Sequence, residues 1–297
     1  MVWGALVAAE GITWLSICVK AMVYATTLLA AGSVLVLASL KQLSEVEQRR
    51  LRRIAIVMAV LAALTSLVRL PLRASFLMGG TWAGASDPMM LTMVNDGPLG
   101  TSIAIRLVGL GLILTVALSH RKALFPATCG AVIACASFVF RGHALEEPRL
   151  LLGLLITLHI LGLAFWISAL APLARVARSP DLNRAGAVAH DFGQKALWVV
   201  GGLTLVGTLS LGVLTNWTVS AMFTPYGQFF MVKLFVFAAV LSLAALNKIS
   251  LTPALQQGDP QSAKNLARSI RIEAALIALV MLTTAVLTTV TGPPVSG

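Results

Sequence analysis

Apolar residues run along this chain in long stretches separated by short polar ones. Eight stretches reach the ~20 residues needed to cross a bilayer as a helix. They lie near residues 14–40, 54–77, 102–120, 124–143, 150–174, 195–217, 228–249 and 270–291. The pattern predicts an all-α fold, a polytopic membrane bundle of eight transmembrane helices. The softest connections, around Ser179-Pro180-Asp181 and Gln256-Gln257-Gly258-Asp259-Pro260, are too short to hold a separate folded unit. Residues 1–297 are therefore expected to form a single transmembrane domain. The first stretch lacks a basic flank and is too long for a cleaved leader, so it reads as a retained span. Pro71, between Arg69 and Arg73, is expected to kink the second span. Gly201, Thr204, Thr208, Gly212 and Thr215 recur at helical spacing and predict a close helix–helix seam.

Composition narrows the class. Hydrophobic residues make up 58% of the 297 positions and charged ones 11%, against roughly 25% charged in a soluble domain. The mean hydropathy is +0.90. A net charge of +11 would suit nucleic acid if it were gathered on one soluble face. It is instead divided among the connections between apolar runs, which points to membrane orientation and to no nucleic-acid partner. Connection 1–2 holds Lys41, Arg49, Arg50, Arg52 and Arg53, and connection 3–4 holds Arg121 and Lys122. Connection 5–6 holds Arg175, Arg178, Arg184 and Lys195, and connection 7–8 holds Lys248, Lys264, Arg268 and Arg271. These odd-numbered connections are expected to face the cytoplasm, leaving both termini outside. Cys18, Cys129 and Cys135 form no CxxC pair, so neither a disulfide framework nor a zinc site is indicated.

The few polar groups near the apolar runs carry the chemistry. An ionisable residue at membrane depth is by default a candidate functional group. His143 falls at the outer end of span 4, with Glu146 and Glu147 in the connection that follows. His159 lies nine residues into span 5, roughly 13 Å below its outer start. Spans 4 and 5 are antiparallel neighbours, so the two imidazoles are expected to share a cleft as metal ligands. Met89, Met90 and Met93 in outer connection 2–3 offer soft thioethers that select Cu(I), and Met222 in connection 6–7 offers another. Trp166, seven residues past His159, is expected to pack the same cleft, with Gly162 allowing a close helix approach. Tyr226 and Lys233 share a face seven positions apart. Arg69, Arg73 and Arg106 ring the outer half and are expected to fix helix ends or pair with Asp96, Glu146 or Glu147. His120 and His190 read as surface groups, and Cys129 and Cys135 as small hydrophobes. Neither a P-loop nor a GxSxG, HExxH or strand-to-helix GxGxxG pattern occurs, so no enzymatic class is indicated.

From about residue 141 onward the chain resembles the copper-resistance protein D (CopD) family. The resemblance rests on Gly142-His143-Ala144, on His159 followed by Ala164-Phe165-Trp166, and on Thr224-Pro225-Tyr226-Gly227 leading to Lys233. It continues through Asn247, Thr252-Pro253, Glu273 and Gly292-Pro293-Pro294, and more loosely through Gly100 to Arg106. The chain departs from the family at Asp191-Phe192-Gly193, usually Arg-Phe-Ser, and at Ile167-Ser168-Ala169, where Gly-Gly is common. The resemblance implies a bacterial inner-membrane protein that moves copper from periplasm to cytoplasm, supplied by a separate CopC-like carrier. Cu(I) suits a His/Met path and Cu(II) a His/carboxylate path, and the sequence leaves both open. Two other readings share the same residues: a haem-binding electron carrier ligated by His143 and His159, and a copper-binding chaperone or scaffold without transport.

Overall fold

The computed structural model describes residues 11–118, 120–140, 149–179, 181–215 and 225–290. The described residues contain helices and turns and no strand. Helix α1 is Gly11–Ser39 and α2 is Glu45–Leu77. Two short helices follow, α3 Trp82–Ser86 and α4 Pro88–Asp96. Then come α5 Pro98–Ile113, α6 Leu124–Ala136, α7 Arg149–Val176 and α8 Leu182–Thr215. Helices α9 Pro225–Leu246, α10 Thr252–Gln256 and α11 Pro260–Val290 complete the order. Short 3₁₀ turns extend α5 over Leu114–Leu118 and α6 over Ser137–Phe140, and a π-helical turn, Asn247–Leu251, joins α9 to α10.

Among the described residues, five helical stretches are long and apolar enough to cross a membrane: Trp14–Ser39, Glu45–Leu77, Pro98–Leu118, Leu150–Val176 and Leu234–Gln256. Leu124–Phe140 is apolar but shorter. The chain is an all-α membrane bundle. Helix α2 continues through Pro71 to Leu77. The connection 78–101, expected as a loop, instead contains α3, α4 and the start of α5. Gly79 and Gly80 turn the chain out of α2 at φ 71° and 81°, a region open to glycine. Thr81 then caps α3 by accepting from the Gly84 N–H at 3.2 Å, and Asp87 caps α4 by accepting from the Met90 N–H at 2.8 Å. Pro88 at the first position of α4 completes that start signal.

Helix α1 is the hub, packing against α2, α6, α7 and α11. Its small residues make this possible. Ala30, Ala31 and Val34 are buried, and a Cβ on Gly32 would lie 1.9 Å from the Ala164 carbonyl oxygen of α7. A second seam joins α5 to α6, where a Cβ on Gly109 or on Gly130 would come within 2.5 Å of the other helix's backbone. Contacts this close are how membrane helices gain dispersion energy when lipid offers no hydrophobic contrast. Gly162 makes a looser seam, its Cβ position 3.2 Å from Leu203 of α8.

The seam expected along α8 is not formed at Gly201, Thr204 and Thr208, while Gly212 is buried and the side chain of Thr215 lies outside the described part. Gly201, Thr204 and Thr208 are exposed, and nothing lies within 4 Å of a Cβ on Gly201. The Thr208 hydroxyl donates to the Thr204 carbonyl at 2.9 Å, satisfying itself within its own helix. Small residues permit close approach, but a partner must be present to use it.

One end of the bundle, where α1 ends and α2 begins, is tied by ion pairs. Glu47 is buried and accepts from Arg175 at 2.7 and 3.0 Å on one oxygen and from Arg50 at 2.7 Å on the other. That clamp joins α2 to α7. Arg52 donates to the Val116 carbonyl at 3.0 Å, Lys248 to the Gly193 carbonyl at 3.1 Å, and Lys195 pairs with Asp191. Asp259 starts α11 by accepting from the Ser262 hydroxyl and from the Gln261 and Ser262 N–H groups. Those donors hold its carboxyl below the usual range.

Candidate functional site

The site begins on α7. His159 is exposed, beside exposed Leu154 and Leu158. Trp166, two turns further and about 10 Å along the axis, is buried at 3% exposure. The expectation that both rings line one cleft is corrected here. Leu152, Leu155 and Ala164 of the same helix are buried, and α8 and α11 pack over the stretch around Trp166, so His159 is an exposed position between buried ones along α7.

Trp166 is held by a partner 107 positions away. Its indole N–H donates to Oε1 of Glu273 on α11, a side chain only 2% exposed. The Asn247 amide donates to the other carboxylate oxygen at 3.4 Å. Asn247 opens the π-helical turn, and the Thr252 hydroxyl caps its carbonyl at 2.8 Å. Its own side-chain oxygen is buried without a hydrogen bond, as is the hydroxyl of Ser269 one turn before Glu273. Three elements thus converge on one buried carboxylate.

A second polar centre surrounds Arg106 on α5. Expected near a helix end, it is fully buried inside the bundle. Its guanidinium donates to the hydroxyls of Ser137 at 3.0 Å, Ser102 at 3.2 Å and Ser66 at 3.3 Å, and stands 4.4 Å from the Phe138 ring centre. Planar, forked donors suit such a cradle in a way a lysine ammonium does not. Arg73, by contrast, is exposed and covers the Phe76 ring at 5.2 Å.

At the opposite end from the Glu47 clamp, Met89 and Met93 stand four residues apart on α4, exposed at 76% and 51%. That spacing sets both thioethers on one face. Met90 turns the other way and packs against the cluster of Ala74, Val94, Leu99 and Ile103. His143, Glu146, Glu147 and Met222 lie outside the described residues. Tyr226 and Lys233 belong to α9, with side chains outside the described part. Among the described residues no three His, Cys, Asp or Glu side chains come together as a metal site. Cys135 is buried as a small hydrophobe, and His120 and His190 are exposed.

Two buried groups have no counterpart in the sequence reading. Lys20 on α1 is 8% exposed and Glu47 5%. Lys20 was readable as the single charge inside the first apolar run. The burial of Glu47 was not, because it depends on Arg175, 128 positions away.

The helices and their buried polar centres define a polytopic α-helical membrane protein with ionisable groups inside the bundle. Comparison with known proteins gives the lineage. The family described as "Copper resistance protein D-like, N-terminal domain" matches residues 11–150, and "Copper resistance protein D" matches residues 186–287. The chain belongs to the copper-resistance protein D family. It is 27% identical over 245 residues to the copper transport protein CutJ of Bacillus subtilis (strain 168), covering 77% of this chain and 43% of that protein. The chain thus spans less than half the length of that relative. No solved structure matches it.

Both departures from the family pattern have local explanations. Ser168 points at α1, where a Cβ on Gly32 would meet its hydroxyl oxygen at 2.3 Å, so a glycine on α1 accommodates the bulkier α7. Phe192 stacks on Phe165 at 5.9 Å, Asp191 pairs with Lys195, and the Gly193 carbonyl receives Lys248.

Proposed function

We propose that this protein is an inner-membrane permease moving copper from the periplasm to the cytoplasm. One observation carries the reading: a chain related to copper proteins over both halves carries an imidazole, His159, in the middle of an apolar helix of membrane-crossing length. Copper is captured at the outer mouth by His143, aided by Glu146 and by the thioethers of Met89, Met90 and Met93, and is passed to His159. Glu147 and Met222 border the mouth. Trp166, Tyr226 and Lys233 support the path. The exposed pair Met89 and Met93 is the support for thioether capture, since ligands that collect an ion must reach water. Eight spans with both termini outside are supported by the basic residues of the odd-numbered connections. A CopC-like periplasmic carrier supplies the ion.

Stations of two or three ligands fit this role, because a conducting site must bind weakly enough to release. Elemental analysis of purified wild type, His143→Ala and His159→Ala is the test. Wild type should retain copper and both variants should lose it. Equal copper in all three would remove the two imidazoles from the path. A Soret band in the same preparation would favour the haem reading instead.

A further inference from the structure

We propose, resting on the permease reading, that Glu273 with Asn247 forms an inner cation station where the copper ion pauses after leaving His159. Charge is the first argument. Glu273 is 2% exposed, and its two hydrogen-bond donors, the Trp166 indole and the Asn247 amide, are neutral. Glu47, the other buried glutamate among the described residues, has two arginines. Among the described residues this carboxyl has no cationic partner, and ionising it inside an apolar bundle is costly, so a passing cation that displaced its proton would supply the missing countercharge. Basic groups on the elements that meet here are occupied or turned away, Arg268 being exposed. Lys248 binds the Gly193 carbonyl, Arg271 is exposed and binds the Ala267 carbonyl, and Arg175 is held by Glu47.

Unused oxygens are the second argument. The Asn247 side-chain oxygen is buried and unbonded. Ser269, 6% exposed, has an unbonded hydroxyl one turn from Glu273 on α11, on the same face. Buried polar atoms nearly always find partners, so two orphan oxygens flanking an unpaired carboxylate mark a place for a ligand. The backbone adds a third argument. Asn247 opens a π-helical turn, a distortion that recurs at functional positions in helices.

The donors are one carboxylate, one amide oxygen and one hydroxyl, all hard. They favour Cu(II) over Cu(I), and with a single charged ligand they bind weakly, as release requires. Position agrees. Trp166 lies about 10 Å beyond His159 along α7, and Glu273 is bonded directly to it. The ion would move from an imidazole on an exposed position of α7 to an oxygen site closed within the bundle.

The experiment is copper uptake into proteoliposomes by wild type, Glu273→Gln, Glu273→Asp and Asn247→Leu. All four are first checked for monodispersity. Glu273→Gln keeps an acceptor for the Trp166 indole but removes the charge. It should lower the maximal rate roughly tenfold or more and leave the half-saturating copper concentration unchanged, because outer capture is intact. Glu273→Asp should retain part of the rate, and Asn247→Leu should fall between. A Glu273→Gln rate equal to wild type, or a change confined to half-saturation, would overturn the station. If wild type moves no copper, the permease reading fails by itself. The station is then tested by paramagnetic resonance of Cu(II) added to micelle-embedded protein. An oxygen-ligated signal that vanishes in Glu273→Gln supports it, and identical spectra overturn it.

Discussion

Replacing Gly32 by alanine tests the packing that positions α7. The new Cβ would stand 1.9 Å from the Ala164 carbonyl oxygen, 2.5 Å from its carbon and 2.3 Å from the Ser168 hydroxyl oxygen. Such contacts do not occur below about 3.0 Å, so α1 and α7 must part by at least about 1 Å. A gap of that size forfeits roughly a quarter to a half of the dispersion energy of each contact it opens. Overpacking of this kind costs ~1–3 kcal/mol, and backbone atoms on the receiving side put this case near the upper end. Alanine gains about 0.5–1 kcal/mol over glycine within a helix, which offsets only part. Gly32→Ala should therefore destabilise by ~2 kcal/mol. Gly201→Ala, where no atom lies within 4 Å, should stabilise by about 0.5–1 kcal/mol. Unfolding midpoints in detergent micelles read both shifts, which must have opposite signs. Because Ala164 is two residues before Trp166, copper uptake should fall in Gly32→Ala and hold in Gly201→Ala. A Gly32→Ala protein as stable as wild type would refute the crossing, as would a Gly201→Ala protein equally damaged.

Arg106→Lys should lose ~2 kcal/mol or more of stability, since one ammonium cannot reach the Ser66, Ser102 and Ser137 hydroxyls together; thermal unfolding in micelles checks it. Glu47→Gln should lose ~1 kcal/mol, because Arg50 and Arg175 are partly exposed and screened, with the loss shrinking as salt rises. Unfolding midpoints at low and high ionic strength measure that difference. The double variant Met89→Leu, Met93→Leu keeps side-chain volume, so stability should change by less than ~1.5 kcal/mol. Copper accumulation at low external copper should drop, and unchanged accumulation would remove the thioethers from capture.

The helices were legible because each membrane-length apolar run can satisfy its backbone only as a helix. The starts of α3 and α4 were also written locally, in Thr81 and Asp87-Pro88, yet a search for long apolar runs passes over helices of 5 and 9 residues. The first three positions of the α8 seam stay uncovered for a different reason. Gly201, Thr204 and Thr208 state what the helix permits, while the neighbour that would use it is a tertiary fact. Helical spacing put His159 and Trp166 on one face, but periodicity does not record which positions along that face a neighbouring helix covers; Leu152 and Trp166 are buried and His159 between them is exposed. The buried polar centres were least legible. Ser66, Ser102 and Ser137 meet Arg106 from three helical segments, and Trp166 meets Glu273 across 107 positions. Nothing local distinguishes those serines from any others in an apolar helix.

The central claim is that imidazoles in and beside a membrane helix conduct copper inward. The direct measurement is copper accumulated inside sealed proteoliposomes after copper is added outside, for wild type, His143→Ala and His159→Ala. The account predicts time-dependent accumulation by wild type and a loss of roughly tenfold or more in each variant. Equal accumulation in all three, or none above protein-free vesicles in wild type, would contradict it.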